Sequence, residues 1–174
     1  VFGEVAQRGA EIGVDTYMTT SSTDVVAFSE AIIKNAFERA GKGERYVPGE
    51  YVRWFGGDQY AYAVGTAGTI IAVKPAMLIL MGDFMSDVVV SMESGSRVGA
   101  QVIGGCPRAL PEMSVFSDYL MIGDEVYAAS AMISKNNMVI GTLAGQDWLK
   151  LISVSLMIVG VILALAQSQS WLLN

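Results

Sequence analysis

Residues 147–174 read "DWLKLISVSLMIVGVILALAQSQSWLLN". Whether that stretch lies in a protein core or in a lipid bilayer decides what kind of fold the rest can belong to. Nothing in it is charged after Lys150, and Leu151 to Ala166 is almost wholly apolar. Those sixteen residues would make a helix of roughly 24 Å, a little short of a hydrocarbon layer of ~30 Å. Trp148 and Trp171 stand just outside the run, roughly 35 Å apart along a helix. Indole rings favour the headgroup level at both membrane faces, so Trp148 and Trp171, with Lys150, are the expected interface anchors. A core helix at a domain's edge carries a polar stripe; here Leu156 to Leu163 put apolar side chains on every face except at Gly160. The stretch is read as a transmembrane helix and short tail over 147–174.

The 174 residues then leave residues 1–146 for one domain, of ordinary size. Val1, Val5 and Ala6 have helical spacing. A chain that begins inside a helix is expected to lack an upstream part. Seventeen acidic residues against eleven scattered basic ones exclude the clustered basic footprint of a nucleic-acid binder. A single cysteine forbids an intrachain disulfide and fits a reducing compartment. Lys135 and Lys150 lie on the domain side of the tail and no cation comes after it, which by the positive-inside rule places the domain in the cytoplasm. The chain has no histidine. That removes Ser-His-Asp triads and every histidine metal site.

Within residues 1–146, strand-like runs alternate with helical ones. The strands are expected at Val14–Thr20, Tyr51–Phe55, Ala76–Met81, Ala100–Ile103, Tyr119–Ile122 and Met138–Leu143, several of them continuously apolar, as strands buried on both faces are. The clearest helix is "TDVVAFSEAIIKNAFERAG", with Thr23 or Asp24 as cap, Val25, Phe28, Ile32 and Ala36 on its inner face, and Gly41 as the stop. A second runs from Asp58 to Pro75, where Gly65 and Gly68 would allow close approach to the sheet. Short connections between alternating elements imply right-handed βαβ units. The expected fold is α/β: a doubly wound, mostly parallel sheet of about six strands followed by the C-terminal transmembrane helix.

The strand ends share a pattern: "TTSSTD" (19–24), "GGD" (56–58), "GDF" (82–84), "GGC" (104–106) and "GDE" (123–125). In a parallel sheet such turns lie on one edge, where helix N-termini converge and open α/β sheets bind ligands. The candidate ligand residues are Ser21, Ser22, Gly57, Asp58, Gly82, Asp83, Gly105, Cys106 and Asp124. Each also has an ordinary structural reading, as helix cap, turn glycine or small buried residue. Were the carboxylates clustered, Mg2+ or Ca2+ would suit them. Cys106, before Pro107, fits the first turn of a helix, where a thiol is activated, yet no histidine can serve it as base. There is no GxGxxG and no GxxxxGK[ST], so no cofactor, metal site or catalytic residue is assigned.

The segments "DQYAYAVGTAGTIIAVKPAMLILMGDF", "ESGSRVGAQVIGG" and "DYLMIGDEVYAASAMIS…GTLAGQDWLK" resemble a prokaryotic family of membrane-attached α/β domains catalogued only as a domain of unknown function. The resemblance runs from about Val5 to the tail and is most specific at "IGDEVYAASA" and "GQDW". It implies the architecture and a further N-terminal membrane segment, and it brings no activity. Where other members carry Gly-Thr-Asp after the fourth strand, this chain has Gly104-Gly105-Cys106.

Three functions fit these features, in descending order. The first is a membrane-anchored structural or assembly protein, in contact with lipid, whose domain self-associates as a homo-oligomer or packs against partner subunits of a membrane complex. The second is a tethered sensor or carrier of a small anionic ligand or metal-nucleotide at the strand-end edge. The third is an enzyme using Asp58, Asp83, Asp124 or Cys106.

Overall fold

The computed structural model describes residues 2–85, 87–108, 111–135 and 137–172, without the side chains of residue 166 and residues 168–172. The chain divides into two compact units, residues Val1–Ser134 and Lys135–Asn174.

The first unit opens with α1 (Phe2–Ile12), β1 (Met18–Thr20) and α2 (Thr23–Arg39). α1 packs on α2 through Ala6 and Ala10, which meet Ile33, Ala36 and Phe37. Lys42 holds this pair from outside, its Nζ donating to the carbonyls of Ala10 and Glu11 at 2.8 Å each. Those are orphan acceptors of the last turn of α1, where a cation also suits the helix dipole. The buried face of α2 is Ser29, Ile33, Ala36 and Phe37, turned from the expected Val25–Phe28–Ile32 line, and Phe28 is 68% exposed. The reason is Phe37, whose ring meets those of Tyr46 and Tyr51; seating it inside rotates Phe28 out. The helix cap is Ser22, one residue before the expected Thr23 or Asp24, and Gly41 ends the segment at φ +68°.

Tyr46 lies on the connection to β2 (Val52–Trp54), and its hydroxyl donates to Glu30. Burial, reinforced by that carboxylate, pushes its pKa from 10.0 up to about 12. A tyrosine held neutral stabilises the fold fully below its unfolded pKa and loses that contribution as pH climbs from 10 towards 12. Burial raises Tyr51 in the same direction. Tyr46→Phe should therefore cost about 1 kcal/mol at neutral pH, the worth of one hydrogen bond, and flatten the loss of stability above pH 10. Urea midpoints from pH 8 to 12 test this; an unchanged alkaline slope in Y46F refutes it.

β1 pairs in parallel with β2, Thr19 opposite Arg53. After α3 (Gln59–Val73) come β3 (Met77–Met81), α4 (Val88–Arg97), β4 (Gln101–Cys106), α5 (Met113–Phe116), β5 (Tyr119–Ile122) and α6 (Asp124–Ser134). β3, β4 and β5 form a parallel sheet in that order, with Ile79 opposite Ile103 and Gly104 opposite Leu120. The turn into β5 is pinned to β4 twice: Asp118 N–H donates to the Val102 carbonyl at 2.8 Å, and Val102 N–H donates to Asp118 Oδ2 at 2.7 Å. Leu80, Val88, Met92, Val102, Cys106 and Met113 form the core of this half.

The fold is thus mixed α/β with small parallel sheets of two and three strands, rather than one sheet of about six. Two local facts account for the difference. β1 and β2 are only three residues each, too short for an extended ladder. The expected sixth strand, Met138–Leu143, is helical. It lies in α7 (Asn137–Leu172), because a short apolar run has no period of its own and continues here into a long apolar helix without a turn.

The second unit is α7 itself, 36 residues or roughly 54 Å. Asn137–Leu165 is long and apolar enough to cross a membrane, and every side chain from Leu151 to Leu165 is exposed in this chain. Ser153 and Ser155 turn their hydroxyls back onto the carbonyls of Leu149 and Leu151, at 2.8 Å each. No polar group in this stretch then needs water.

Candidate functional site

Two surfaces of the first unit carry more than packing explains. One is a hollow of about 380 Å3 where the carboxyl ends of β1 and β3 meet. β1 contributes Thr19, Thr20 and then Ser21; β3 contributes Met81, followed by Gly82, Asp83 and Phe84. Gly57 and Gln59 approach from the start of α3, Tyr62 from farther along its first turn and Asp87 from the start of α4. Phe84 lies back over the strand end, since a Cβ placed on Gly82 would stand 3.5 Å from its ring.

The polar groups of the hollow are partly tied to one another. The Thr19 and Tyr62 hydroxyls are 3.3 Å apart, and Ser22 N–H donates to Thr20 Oγ1. Asp87 Oδ1 accepts from Gln59 Nε2 at 3.0 Å and from Met85 N–H at 3.2 Å. Asp83 pairs with Arg108 at 2.6 Å, both partners more than half exposed, so the pair adds little stability. Among the described residues no three of the acidic and thiol side chains converge as a metal would require.

Of the candidates named from sequence, Ser21, Gly57, Gly82 and Asp83 line this hollow. Ser22 is the exposed cap position of α2 without a side-chain capping bond. Asp58 caps α3, its Oδ1 accepting from the Tyr60 and Ala61 N–H groups at 3.0 and 2.9 Å. Asp124 opens α6. Gly105 and Cys106 are not in a turn: Gly104–Cys106 are the last residues of β4 and are buried. Cys106 is 1% exposed, and the next helix starts only at Met113, so the expected activation by a helix N-terminus does not apply. The glycines are there for packing; a Cβ on Gly104 would come within 3.0 Å of Met113, Ser117 and Leu120. Trp148 is 67% exposed and Lys150 stands 3.8 Å from Asp147; the Trp171 side chain lies outside the described residues.

Gln59, Tyr62, Phe84 and Asp87 were not expected. The first two lie inside a helix, and the last two come after the Gly82-Asp83 turn. A signal for Tyr62 was present in its helical register, one turn after the Asp58 cap.

The second surface is the outer face of α3. Its sequence, "QYAYAVGTAGTIIAV", contains no charged residue. The inner face buries Ala63, Thr66, Ala67, Thr69 and Ile70. Outside, Tyr60, Ala61, Val64, Gly68, Ile71 and Ala72 are exposed, Tyr60 at 77% and Val64 at 69%. A solvated helix face is normally polar. This one is apolar along its whole length.

A domain of unknown function, DUF6754, matches residues 1–172. No curated protein and no solved structure matches the chain. The chain belongs to the DUF6754 family.

Proposed function

We propose that this DUF6754 chain is a membrane-anchored assembly protein: α7 crosses the bilayer and the first unit packs against further copies of itself through α3. The observation that carries the reading is the uncharged outer face of α3, where Tyr60, Val64 and Ile71 stay exposed around Gly68. Nothing lies within 4 Å of where a Gly68 Cβ would be. Glycine within a helix costs up to about 1 kcal/mol relative to alanine, and no contact among the described residues offsets it there. Close approach of a second helix would, and a self-complementary face on a two-fold axis needs no second partner surface.

The topology that fits this role is finer than the paired strands alone. We place the two sheets edge to edge in the order β2-β1-β3-β4-β5, doubly wound, with α1, α2 and α6 on one face and α3, α4 and α5 on the other. Support comes from the hollow shared by the ends of β1 and β3 and from Ser134, at the end of α6, which lines a groove with α1 and α2. α3 packs on α4, and α4 on α5. A crystal structure with β1 remote from β3 would refute the order. Lys135 and Lys150 before the apolar run favour a cytoplasmic domain.

Native mass spectrometry of the detergent-extracted chain tests the assembly. We expect a defined oligomer that the double variant Val64→Glu, Ile71→Glu converts to monomer with an unchanged circular dichroism spectrum. A monomeric parent, or a variant with the parent's subunit number, overturns the reading. Protease should reach the first unit in inside-out vesicles and not in right-side-out ones; the reverse would invert the orientation.

A further inference from the structure

We propose that the hollow at the carboxyl ends of β1 and β3 binds a neutral, ring-bearing polyol of nucleoside type. The site is independent of the α3 face. Its chemistry is set by the residues that line it. No lysine or arginine lies among the lining residues, and the Arg108 guanidinium is engaged by Asp83. Asp87 offers its Oδ2: Oδ1 takes the hydrogen bonds from Gln59 and Met85, while Oδ2 has no partner among the described residues. A carboxylate oxygen is an acceptor only, so it calls for a ligand donor and repels a phosphate.

The same hollow is lined by groups that both donate and accept. The Ser21 hydroxyl has no partner among the described residues, and the Thr19 and Tyr62 hydroxyls, 3.3 Å apart, retain further capacity. A sugar diol matches a hollow lined by a carboxylate and hydroxyls, because each of its O–H groups both donates and accepts. The opposite requirement, apolar surface for a flat ring, is met by Phe84, Met81 and Met85, which share the lining, sulfur and aromatic surfaces that take planar rings well. The volume, about 380 Å3, lies in the range of small-molecule sites. The position, where the chain leaves two strands for helices, is where open α/β sheets take ligands.

The test is isothermal titration of the full chain in detergent with adenosine and, separately, with AMP as its charged twin. We expect adenosine to bind and AMP to bind at least about 10-fold more weakly, the effect of placing an anion by the Asp87 carboxylate. Asp87→Asn and Phe84→Leu should each weaken adenosine about 10-fold or more; leucine keeps the apolar packing of Phe84 on the neighbouring core while removing the ring, so the thermal midpoint should fall by no more than a few degrees. Ser22→Ala, outside the hollow, should leave affinity unchanged. Adenosine that fails to bind, AMP that binds more tightly than adenosine, or variants that bind like the parent would each overturn the proposal. None of these outcomes alters the subunit number, so the assembly reading stands or falls separately.

Discussion

Replacing Leu156, Val159 and Ile162 together by arginine should move the chain from the membrane pellet to the soluble or aggregated fraction after alkaline carbonate extraction. The three positions lie along the middle of the uncharged Leu151–Ala166 run, within the Asn137–Leu165 apolar segment, and are exposed in the chain at 67, 52 and 59%. Each arginine near the centre of a bilayer costs about 2.5–3.5 kcal/mol on insertion scales, so three cost roughly 8–10 kcal/mol. The leucine and isoleucine side chains they replace each favour insertion by about 0.5 kcal/mol, a loss in the same direction. No other described helix of the chain is long and apolar enough to compensate. The alanine counterpart, with the same positions truncated and no charge added, should remain in the pellet, because the rest of the run is apolar. A triple-arginine chain that stays carbonate-resistant would show that α7 is not the anchor. A parent released by carbonate would mean that the helix is covered by protein instead of lipid.

That helix was the most legible part of the sequence, for a physical reason. Apolar side chains on all faces over many turns leave a soluble domain no way to solvate the element, so the pattern has few alternatives. Short apolar runs carry no such constraint. "YLMI" forms β5 and "AMLILM" contains β3, but "MVIGTL" is helical. Four to six apolar residues satisfy either conformation, and the residues C-terminal to them decide between the two. From "MVIGTL" the helix continues through "AGQDWLK", with no proline or turn, into the apolar run from Leu151.

The strand-end motifs divide in the same way. "GGD" at 56–58 and "GDF" at 82–84 are turns that reach the hollow, while "GGC" at 104–106 is strand. A glycine pair is compatible with a turn that needs positive φ and equally with a strand over which other side chains pack closely. Only the position of Met113, Ser117 and Leu120 around Gly104 distinguishes the two, and those contacts come from 9 to 16 residues further along the chain. Gln59 and Asp87 were invisible for a related reason, and Tyr62 was marked only by its register one turn after the Asp58 cap. Each reaches the hollow from a helix or its cap, and a sequence does not state which way an uncharged helix faces.

The same ambiguity makes α3 the place where one substitution type should have opposite signs three residues apart. Gly65→Ala should destabilise the first unit by about 2 kcal/mol. Its new Cβ would stand 2.2–2.7 Å from three atoms of the Phe55 ring, so the ring must move out of its place against α3. Overpacking of this kind costs about 1–3 kcal/mol, against a gain of up to about 1 kcal/mol from replacing a helical glycine. Gly68→Ala meets nothing within 4 Å and keeps the propensity gain alone. Both changes belong in the Val64→Glu, Ile71→Glu background, where loss of a subunit contact cannot be mistaken for loss of fold. There, thermal unfolding should put Gly65→Ala roughly 6–12 °C below the background protein and Gly68→Ala a few degrees above it, at ~3–6 °C per kcal/mol for a unit between the small and mid-sized domain ranges. Equal shifts at the two positions would mean that Phe55 is not seated on α3. In the parent background, by contrast, Gly68→Ala should lower the oligomer's stability, because the added methyl would occupy the space left for a second helix. A glycine whose replacement by alanine stabilises the isolated unit and weakens the assembled one is what the assembly reading requires of Gly68.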